Sequence, residues 1–456
     1  MSARHRRDPA TPPPLGPTPS LELPPVQRFR LENGLDVLVV EQHVLPVVDV
    51  QLVVRTGAAA DPPELAGRAA LAAEMLDEGT TRRGALEFAE TLDFLGADLE
   101  SRVSWDGSSL SLHVLTPRLE PALELLAEAA IHPAFHEEEW RRVQAERIDQ
   151  LLQQQDEPRV VAGRAFVREL YGDAHPYGAP VPGTRETVQA MDLDTVVAFY
   201  REHYRPNNAY LVVVGDVEPG TLLPLRERAF GAWEPASVPE VRLPEPPPNG
   251  EARIVLVDRP GAAQSEIRVG HIGPSRDTPD YFPLTLLNAV LGGAFTSRLN
   301  LALREERGYT YGAASRFDFR TGPGPFRAVS AVFTGVTDDA LAVVAHEIRR
   351  IHDEPVPGAE LERARNYLAL SLPQDLETTA DIAQNITQIE LYGLGDDYLD
   401  RYVERISAVT PEQVHAAART HLRPDELVAV VVGDAAAIES RLRDLGLGPV
   451  VRREVR

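Results

Sequence analysis

The strongest constraint on the fold of this chain is an internal repeat of fourteen residues. The stretch 203–216, HYRPNNAYLVVVGD, matches 421–434, HLRPDELVAVVVGD, with eight identities at a spacing of 218 residues. A helical pattern precedes each copy, at 190–196 and at 408–414, and an Arg-Pro connection leads into an apolar run ending in Gly-Asp. The match predicts two homologous halves, each large enough to bury its own core.

Proline marks the boundary between the two halves. The stretch 235–251 contains six prolines and closes on Asn-Gly, a composition that opposes helix formation and favours an exposed linker. We therefore predict a first half over 28–234 and a second half over 252–450. The basic, proline-rich segment 1–27 is predicted to be a disordered arm.

Strand-like and helix-like patterns are mixed within each half. The stretch 28–42 predicts a strand, an Asn-Gly turn and a second strand. Further strands are expected at 49–58, 107–116 and 252–260. Helical periodicity dominates 65–78, 84–95, 119–131, 136–155 and 159–171. Because strands often follow one another directly, we expect an α+β fold rather than a doubly wound parallel sheet.

The composition narrows the functions open to the chain. Its formal net charge is −23, which disfavours nucleic acid as a partner because phosphate binding needs a basic surface. The absence of cysteine excludes disulfides, thiolate metal ligands and cysteine nucleophiles. No apolar run approaches the ~20 residues of a membrane span, and the N-terminus lacks the apolar core of a signal peptide. We expect a cytoplasmic location, with the periplasm as the alternative.

Several stretches, taken in order, resemble the pitrilysin/insulinase family of zinc metallopeptidases. The stretches that carry the resemblance are 28–41, 132–148 and 175–184 in the first half, and 297–317 and 360–372 in the second. The resemblance implies two α+β halves that enclose a cavity, peptides as substrates and zinc chemistry on the first half. Some members of the family pair a catalytic subunit with a non-catalytic one.

The metal motif of that family, H-x-x-E-H, is degenerate in this chain. In the motif, two imidazoles four residues apart on a helix hold zinc, and the glutamate takes a proton from the zinc-bound water. The stretch 67–80, GRAALAAEMLDEGT, aligns with the motif through its flanking glycines. The alignment puts Ala70 at the first histidine, Ala73 at the glutamate and Glu74 at the second histidine. Neither imidazole nor the base remains.

A carboxylate on a later helix completes the zinc ligands in the family. That position falls at Gln150 here, with Glu146 as an alternative one turn away. Because a neutral amide is a poor zinc ligand, we expect this chain to bind no metal of its own. Glu74, Asp77 and Glu78 leave open a different carboxylate site, with a solvated helix end as the alternative.

Three histidines are predicted to be structural. His203 and His421 occupy the same place in the two copies of the repeat, which favours a structural role in both halves. His175 precedes a proline in a predicted turn, and the same role is expected for it.

The second half keeps a pair of residues that the family uses on its substrate. In the family, an arginine and a tyrosine seven residues on bind the peptide carbonyl and stabilise the tetrahedral intermediate. The stretch 303–312, LREERGYTYG, places Arg304 and Tyr311 at that spacing, with Gly308 as a helix stop and Tyr311 on the next strand. A guanidinium and a phenol suit a developing oxyanion. The alternative is a charged helix face followed by a packed tyrosine.

Two glycines are a further candidate for substrate contact. Gly292 and Gly293 fall where family members carry a loop implicated in substrate handling. A tight strand–helix turn is the alternative, because glycine adopts backbone conformations that other residues avoid.

These features together predict a non-catalytic subunit. It would pair with a homologue that carries H-x-x-E-H and its zinc, and would lend Arg304 and Tyr311 to peptide proteolysis. One alternative is a structural or peptide-binding scaffold without a proteolytic role. Another is an active zinc metalloendopeptidase whose ligands the sequence does not reveal.

Overall fold

The chain folds into two α+β halves built to one plan, and a computed structural model describes residues 24–454. The strands of the first half are β1 (Gln27–Arg30), β2 (Asp36–Glu41), β3 (Val47–Val54), β4 (Asp98–Val103), β5 (Ser108–Leu115) and β6 (Ala209–Gly215). Its α-helices are α1 (Arg68–Glu74), α2 (Ala85–Leu95), α3 (Leu119–Ile131), α4 (Glu137–Gln155), α5 (Pro158–Tyr171), α6 (Arg185–Ala190), α7 (Leu193–His203) and α8 (Pro219–Phe230).

The second half repeats this pattern. Its strands are β7 (Arg253–Asp258), β8 (Gln264–Ile272), β9 (Ala313–Phe317), β10 (Pro325–Phe333), β11 (Val428–Gly433) and β12 (Val450–Arg453). Its α-helices are α9 (Tyr281–Asn288), α10 (Arg298–Asn300), α11 (Thr337–Asp353), α12 (Gly358–Ser371), α13 (Thr379–Leu391), α14 (Tyr402–Ala408), α15 (Pro411–His421) and α16 (Ala435–Arg443). Helices α9 and α10 continue as the π-helical turns Ala289–Gly293 and Leu301–Glu305.

The two sheets share one strand order, which accounts for the sequence repeat. The orders are β1-β2-β6-β3-β5-β4 and β12-β7-β11-β8-β10-β9. The repeated strand, β6 or β11, lies between a parallel neighbour and an antiparallel one in both sheets. The predicted α+β class is confirmed. The two sheets differ in which strand is outermost next to β2 or β7. In the first sheet it is β1, which precedes the other strands of its half in sequence, and in the second sheet it is β12, which follows them.

The halves are joined by exchanged helices. One face of each sheet packs on helices of its own half. The other face of the first sheet is covered by α13 of the second half, and the corresponding face of the second sheet by α5 of the first half. Tyr210 of β6 donates a hydrogen bond to the Thr387 carbonyl of α13, at 2.9 Å. Each core is therefore completed by the other half of the chain.

The linker packs along this junction. The stretch 235–251 contains neither helix nor strand. Leu243 packs against the cluster formed by α5 and the second sheet, and the Asn249 side chain bonds both the amide and the carbonyl of Ile272. The linker thus contributes to the contact between the halves as well as connecting them.

Three boundaries differ from the sequence prediction. Residues 1–23 of the predicted arm lie outside the described residues, but Val26 packs on the first sheet and Gln27 begins β1. The second half extends past residue 450, because β12 adds an edge strand to β7. Helix α1 ends at Glu74 instead of Gly79, since the chain leaves the helix to form a β-bridge between Thr80 and Pro133.

Among the helices of residues 24–454, none has the length and apolar content that crossing a lipid bilayer requires.

Candidate functional site

Helix α1 carries the degenerate motif and is anchored tightly at its first turn. Gly67 caps it in the left-handed region at φ +98°, and a Cβ there would lie 3.0 Å from the Cα of Gly183. The buried Asp61 carboxylate accepts the Ala69 amide at 3.1 Å and pairs with Arg68 at 3.3 Å. Burial raises the pKa of Asp61 to about 6 against these two favourable contacts. The scaffold of the motif is therefore well formed.

The positions of the metal ligands and the general base are occupied by two buried alanines and by a glutamate in an ion pair. The methyl groups of Ala70 and Ala73 are buried in α1. The Glu74 carboxylate pairs with the guanidinium of Arg147 on α4, whose side chain is only 13% exposed. Burial lowers the pKa of Arg147. A permanent cation of the protein thus neutralises Glu74, the one carboxylate that remains in the motif.

The other candidate metal ligands do not come together around one point. The amide of Gln150 is exposed on α4, while Glu146 pairs with Arg142 at 3.0 Å. Glu78 pairs with the same Arg142. Burial, followed by the nearby Glu78, raises the pKa of Asp77 to about 6. Because α1 ends at Glu74, the three acids of 74–78 do not share a helix face.

The residues present do not fit the zinc ion that the family implies. Alanine has no donor atom, Glu74 already binds Arg147, and the amide of Gln150 is a poor ligand. Within residues 24–454, no group of three or more histidine, aspartate or glutamate side chains is arranged to hold a metal ion.

Three histidines of the first half lie in a turn or next to a helix end. His175 is buried, accepts the Tyr177 amide at 3.0 Å and bonds the Pro244 carbonyl of the linker at 3.1 Å, so both ring nitrogens are used. His132 and His136 are four residues apart in sequence, but one ends α3 and the other precedes α4. They therefore lie on no common helix face.

The two repeated histidines end equivalent helices, α7 and α15. His203 is buried against Phe199, with ring centroids 4.7 Å apart, and burial followed by the charge of Arg68 lowers its pKa to about 4. His421 bonds the carboxylate of Asp280 at 2.8 Å. Each of the two histidines therefore contacts residues of its own half.

Arg304 lies on the second half, in the π-helical turn after α10. Its guanidinium stacks on the exposed ring of Phe295, 4.5 Å from the centroid, and its side chain is 36% exposed. Its Nε lies 3.6 Å from the carboxylate of Glu305, too far for a hydrogen bond. The Arg304 carbonyl accepts the amide of Gly308, which stops the helix at φ +65° as predicted. The guanidinium is positioned by an aromatic ring and retains free N–H donors.

Tyr311 projects from the loop that follows. Its side chain is 88% exposed, and it lies two residues before β9 instead of on the strand, which corrects the prediction. The Asn300 side chain accepts the amide of Ala313 at 2.9 Å and donates to the carbonyl of Ala294 at 3.4 Å. Asn300 therefore joins the loop of Tyr311 to the segment of Phe295. The sequence pattern singled out neither Asn300 nor Phe295, although Asn300 lies one helical turn before Arg304.

Gly292 and Gly293 end a π-helical turn that leads towards α10. A Cβ at Gly292 would collide with the amide of Ser315 on β9, so the close approach of helix and strand requires glycine there. The connection is helix to helix, which replaces the strand–helix turn considered from the sequence. Gly293 is exposed and precedes Phe295 by two residues, next to the surface of Arg304.

The comparisons with known proteins agree with this architecture. Residues 36–173 match the family model described as insulinase, peptidase family M16, and residues 190–368 match the peptidase M16 inactive domain. A protein named as an uncharacterized zinc protease of Mycobacterium leprae is 26% identical over 429 residues, covering 92% of this chain and 94% of its own length. One of the same description from Bacillus subtilis is 23% identical, covering 89% of this chain and 98% of its own length.

Solved structures share the fold. The peptidase M16 inactive domain from Pseudomonas fluorescens superposes with a TM-score of 0.83 at 28% identity, covering 90% of this chain and 98% of that one. A protease from Helicobacter pylori superposes with a TM-score of 0.81 at 19% identity, covering 90% of this chain and all of that one, which is a likeness of fold. The fold and the degenerate site define a peptidase-like protein of two α+β halves. The chain belongs to the pitrilysin/insulinase family, peptidase family M16.

Proposed function

We propose that this chain is a non-catalytic subunit that pairs with a zinc-bearing homologue for the proteolysis of peptides. The observation that carries the proposal is the contrast between its two family sites. The metal position is filled by the Glu74–Arg147 ion pair, while Arg304 and Tyr311 are displayed on the surface. Two exposed donors at the family spacing are available to a peptide, which supports this role.

The proposed role of Arg304 and Tyr311 is to donate hydrogen bonds to the peptide carbonyl in the partner's active site. Guanidinium and phenol groups stabilise negative charge on the carbonyl oxygen as the carbonyl is attacked. The zinc ion of the partner would supply the activated water. Phe295 holds the Arg304 guanidinium by stacking, and Asn300 positions the loop of Tyr311.

The decisive experiment is reconstitution. The chain would be purified from its native organism together with any co-eluting homologue that contains intact H-x-x-E-H. Turnover of a quenched fluorescent peptide would then be measured for each protein alone and for the mixture. We expect activity only in the mixture, and a loss of about 10²–10³-fold in kcat for Arg304→Ala.

Arg307→Ala is the matched control for that variant. Arg307 is on the same segment, with 39% of its side chain exposed, but it bonds the carbonyl of Ala302 and the neighbouring Glu306. Its replacement is expected to leave kcat of the mixture unchanged. If Arg304→Ala also leaves kcat unchanged, the donated-residue role is wrong and a scaffold role remains. One equivalent of tightly held zinc with cleavage by the lone chain would contradict the whole proposal.

A further inference from the structure

Two arginines on the second sheet lie side by side without a direct ion-pair partner among residues 24–454. Arg316 of β9 and Arg327 of β10 lie directly opposite each other in the antiparallel ladder. Side chains directly opposite in such a ladder project from the same face, and like charges there destabilise the sheet. Within residues 24–454, neither guanidinium has a hydrogen bond or a carboxylate oxygen within 4.0 Å.

The surroundings add positive charge. Arg268 of β8 lies opposite Val329, on the face of Arg327 and two residues along β10. Two nearby carboxylates hydrogen-bond other arginines, Glu266 with Arg268 at 3.0 Å and Asp318 with Arg320 at 2.7 Å. The charge of Asp318 also acts on Arg316 and Arg327, but without a direct contact. Burial lowers the pKa of Arg327 first, and the charges of Arg316, Arg268 and Arg320 lower it further against the opposing effect of Asp318.

A shortage of acidic residues does not explain the pair. The chain has 69 aspartates and glutamates for 46 basic residues, so carboxylates are abundant. At the equivalent place in the first sheet, Arg102 of β4 lies opposite Ser109 of β5 and bonds Glu100 at 2.8 Å. The first half thus has one neutralised arginine where the second half has two arginines without an ion-pair partner.

Arg316 is the accessible member of the pair. Helix α5 covers this face over β8 and β11, while β9 is the edge strand of the sheet. Arg316 is exposed and lines a cleft of about 290 Å³ together with Gln388 of α13 and with Tyr392, which follows that helix. Arg327 is half-buried and does not line this cleft, so a ligand would reach the pair from the side of Arg316.

We propose that Arg316 and Arg327 form a binding site for a carboxylate group of a peptide. Two guanidinium groups on one face of a sheet suit the paired oxygens of a carboxylate, which arginine binds in a bidentate manner. The carboxylate belongs either to an acidic side chain or to the C-terminus of the peptide. The site uses neither Arg304 nor Tyr311, and it rests on the proposed function only in that the chain handles peptides.

The test is peptide binding by the full-length chain without any partner, so its failure is distinct from a failure of reconstitution. Fluorescence anisotropy would be measured with three peptides that carry a neutral dye. One has acidic side chains and both ends blocked, one is neutral with a free C-terminal carboxylate, and one is neutral with both ends blocked. We expect the first or the second peptide to bind, and Arg316→Gln or Arg327→Gln to weaken that binding at least about tenfold.

Arg102→Gln is the matched control from the first half and is expected to leave binding unchanged. Without peptide, Arg327→Gln is expected to raise Tm, because it removes repulsion between opposed like charges. This second measurement also shows that the variant folds. Three results would each overturn the proposal. The first is equal binding of all three peptides, and the second is equal affinity of the wild type and the Arg316→Gln/Arg327→Gln double variant. The third is binding of inorganic phosphate without binding of either carboxylate peptide.

Discussion

The two halves share a topology and differ in what their sites display. In the first half, the position that holds zinc in the family is closed by alanine methyl groups and by the Glu74–Arg147 ion pair. In the second half, Arg304 and Tyr311 remain at the surface, supported by Phe295 and Asn300. The same α+β scaffold therefore carries a metal position without metal-ligating side chains in one half and two exposed hydrogen-bond donors in the other. The two halves therefore share a fold without sharing the same functional side chains.

The equivalent histidines show the same divergence on a smaller scale. His203 and His421 end equivalent helices, but only His421 lies within hydrogen-bond distance of a carboxylate, Asp280 at 2.8 Å. The Nε2 of His203 is 3.9 Å from the carboxylate of Glu202. His203 is buried beside the cationic Arg68, and its Nδ1 has no hydrogen-bond partner in the described chain. The repeat thus conserves the position of a side chain while its surroundings have changed.

The largest expected effect tests whether the halves are one folding unit. Phe166 of α5 and Ile386 of α13 are buried in the helices that cover the opposite sheets. Phe166→Ala is expected to cost about 3–5 kcal/mol and Ile386→Ala about 2–5 kcal/mol, because each leaves a cavity in a shared core. Urea denaturation, followed by far-UV circular dichroism and tryptophan fluorescence, measures both.

A single transition is expected in both variants, with the two probes coinciding. The fluorescence reports mainly on the first half, since Trp105, Trp140 and Trp233 all precede the linker. If Phe166→Ala produced a second transition that only circular dichroism detects, the halves would unfold separately. The exchanged helices would then be a contact between two independent domains.

A smaller effect is expected where the metal position is closed. Arg147→Ala is predicted to lower the free energy of unfolding by about 1.5–3 kcal/mol, because it removes an ion pair at a largely buried guanidinium and leaves Glu74 without its partner. Arg142→Ala, on the same helix but 43% exposed, is the control and is expected to cost about 0–1 kcal/mol. Chemical denaturation at neutral pH compares them. Equal losses would show that the Glu74–Arg147 pair is an ordinary surface ion pair.

The smallest effect compares two helix caps at equivalent places. Thr410 caps α15 through the amide of Gln413, and Asp192 caps α7 through the amide of Thr195 at 2.9 Å. Thr410→Ala is expected to cost about 1 kcal/mol at any pH. The hydroxyl and amide of Thr195 lower the pKa of Asp192 below its ordinary value of 3.8. The ionised Asp192 cap therefore stabilises the fold fully at pH values above the ordinary pKa of 3.8. This stabilisation is lost as the pH falls through the lowered pKa of the folded state.

Thermal denaturation at about pH 7 and about pH 3 measures this difference. The Tm difference between the wild type and Asp192→Ala is expected to shrink at the lower pH, whereas that for Thr410→Ala is expected to stay constant. A constant difference for Asp192→Ala would show that its carboxylate does not titrate as a cap.

Local patterns predicted many of the elements near the sites. The hairpin at 28–42 and the helices at 119–131, 136–155 and 159–171 were found within a few residues of their expected ends. Periodicity and turn residues determine such elements because their contacts are close in sequence. The length of α1 was wrong, because a β-bridge to Pro133, far along the chain, ends that helix early. The absence of imidazoles from the motif needed no structure.

The sequence by itself determined that this chain has two homologous halves, a degenerate metal motif and an Arg-Tyr pair at the family spacing. These conclusions rest on residue identity and spacing along the chain. Only the tertiary structure decided that Arg147 neutralises Glu74 and that Phe295 orients Arg304. It also decided that α5 and α13 exchange between halves, and that two arginines meet across β9 and β10. Such contacts join residues on different elements, and packing, rather than local propensity, selects which side chains meet.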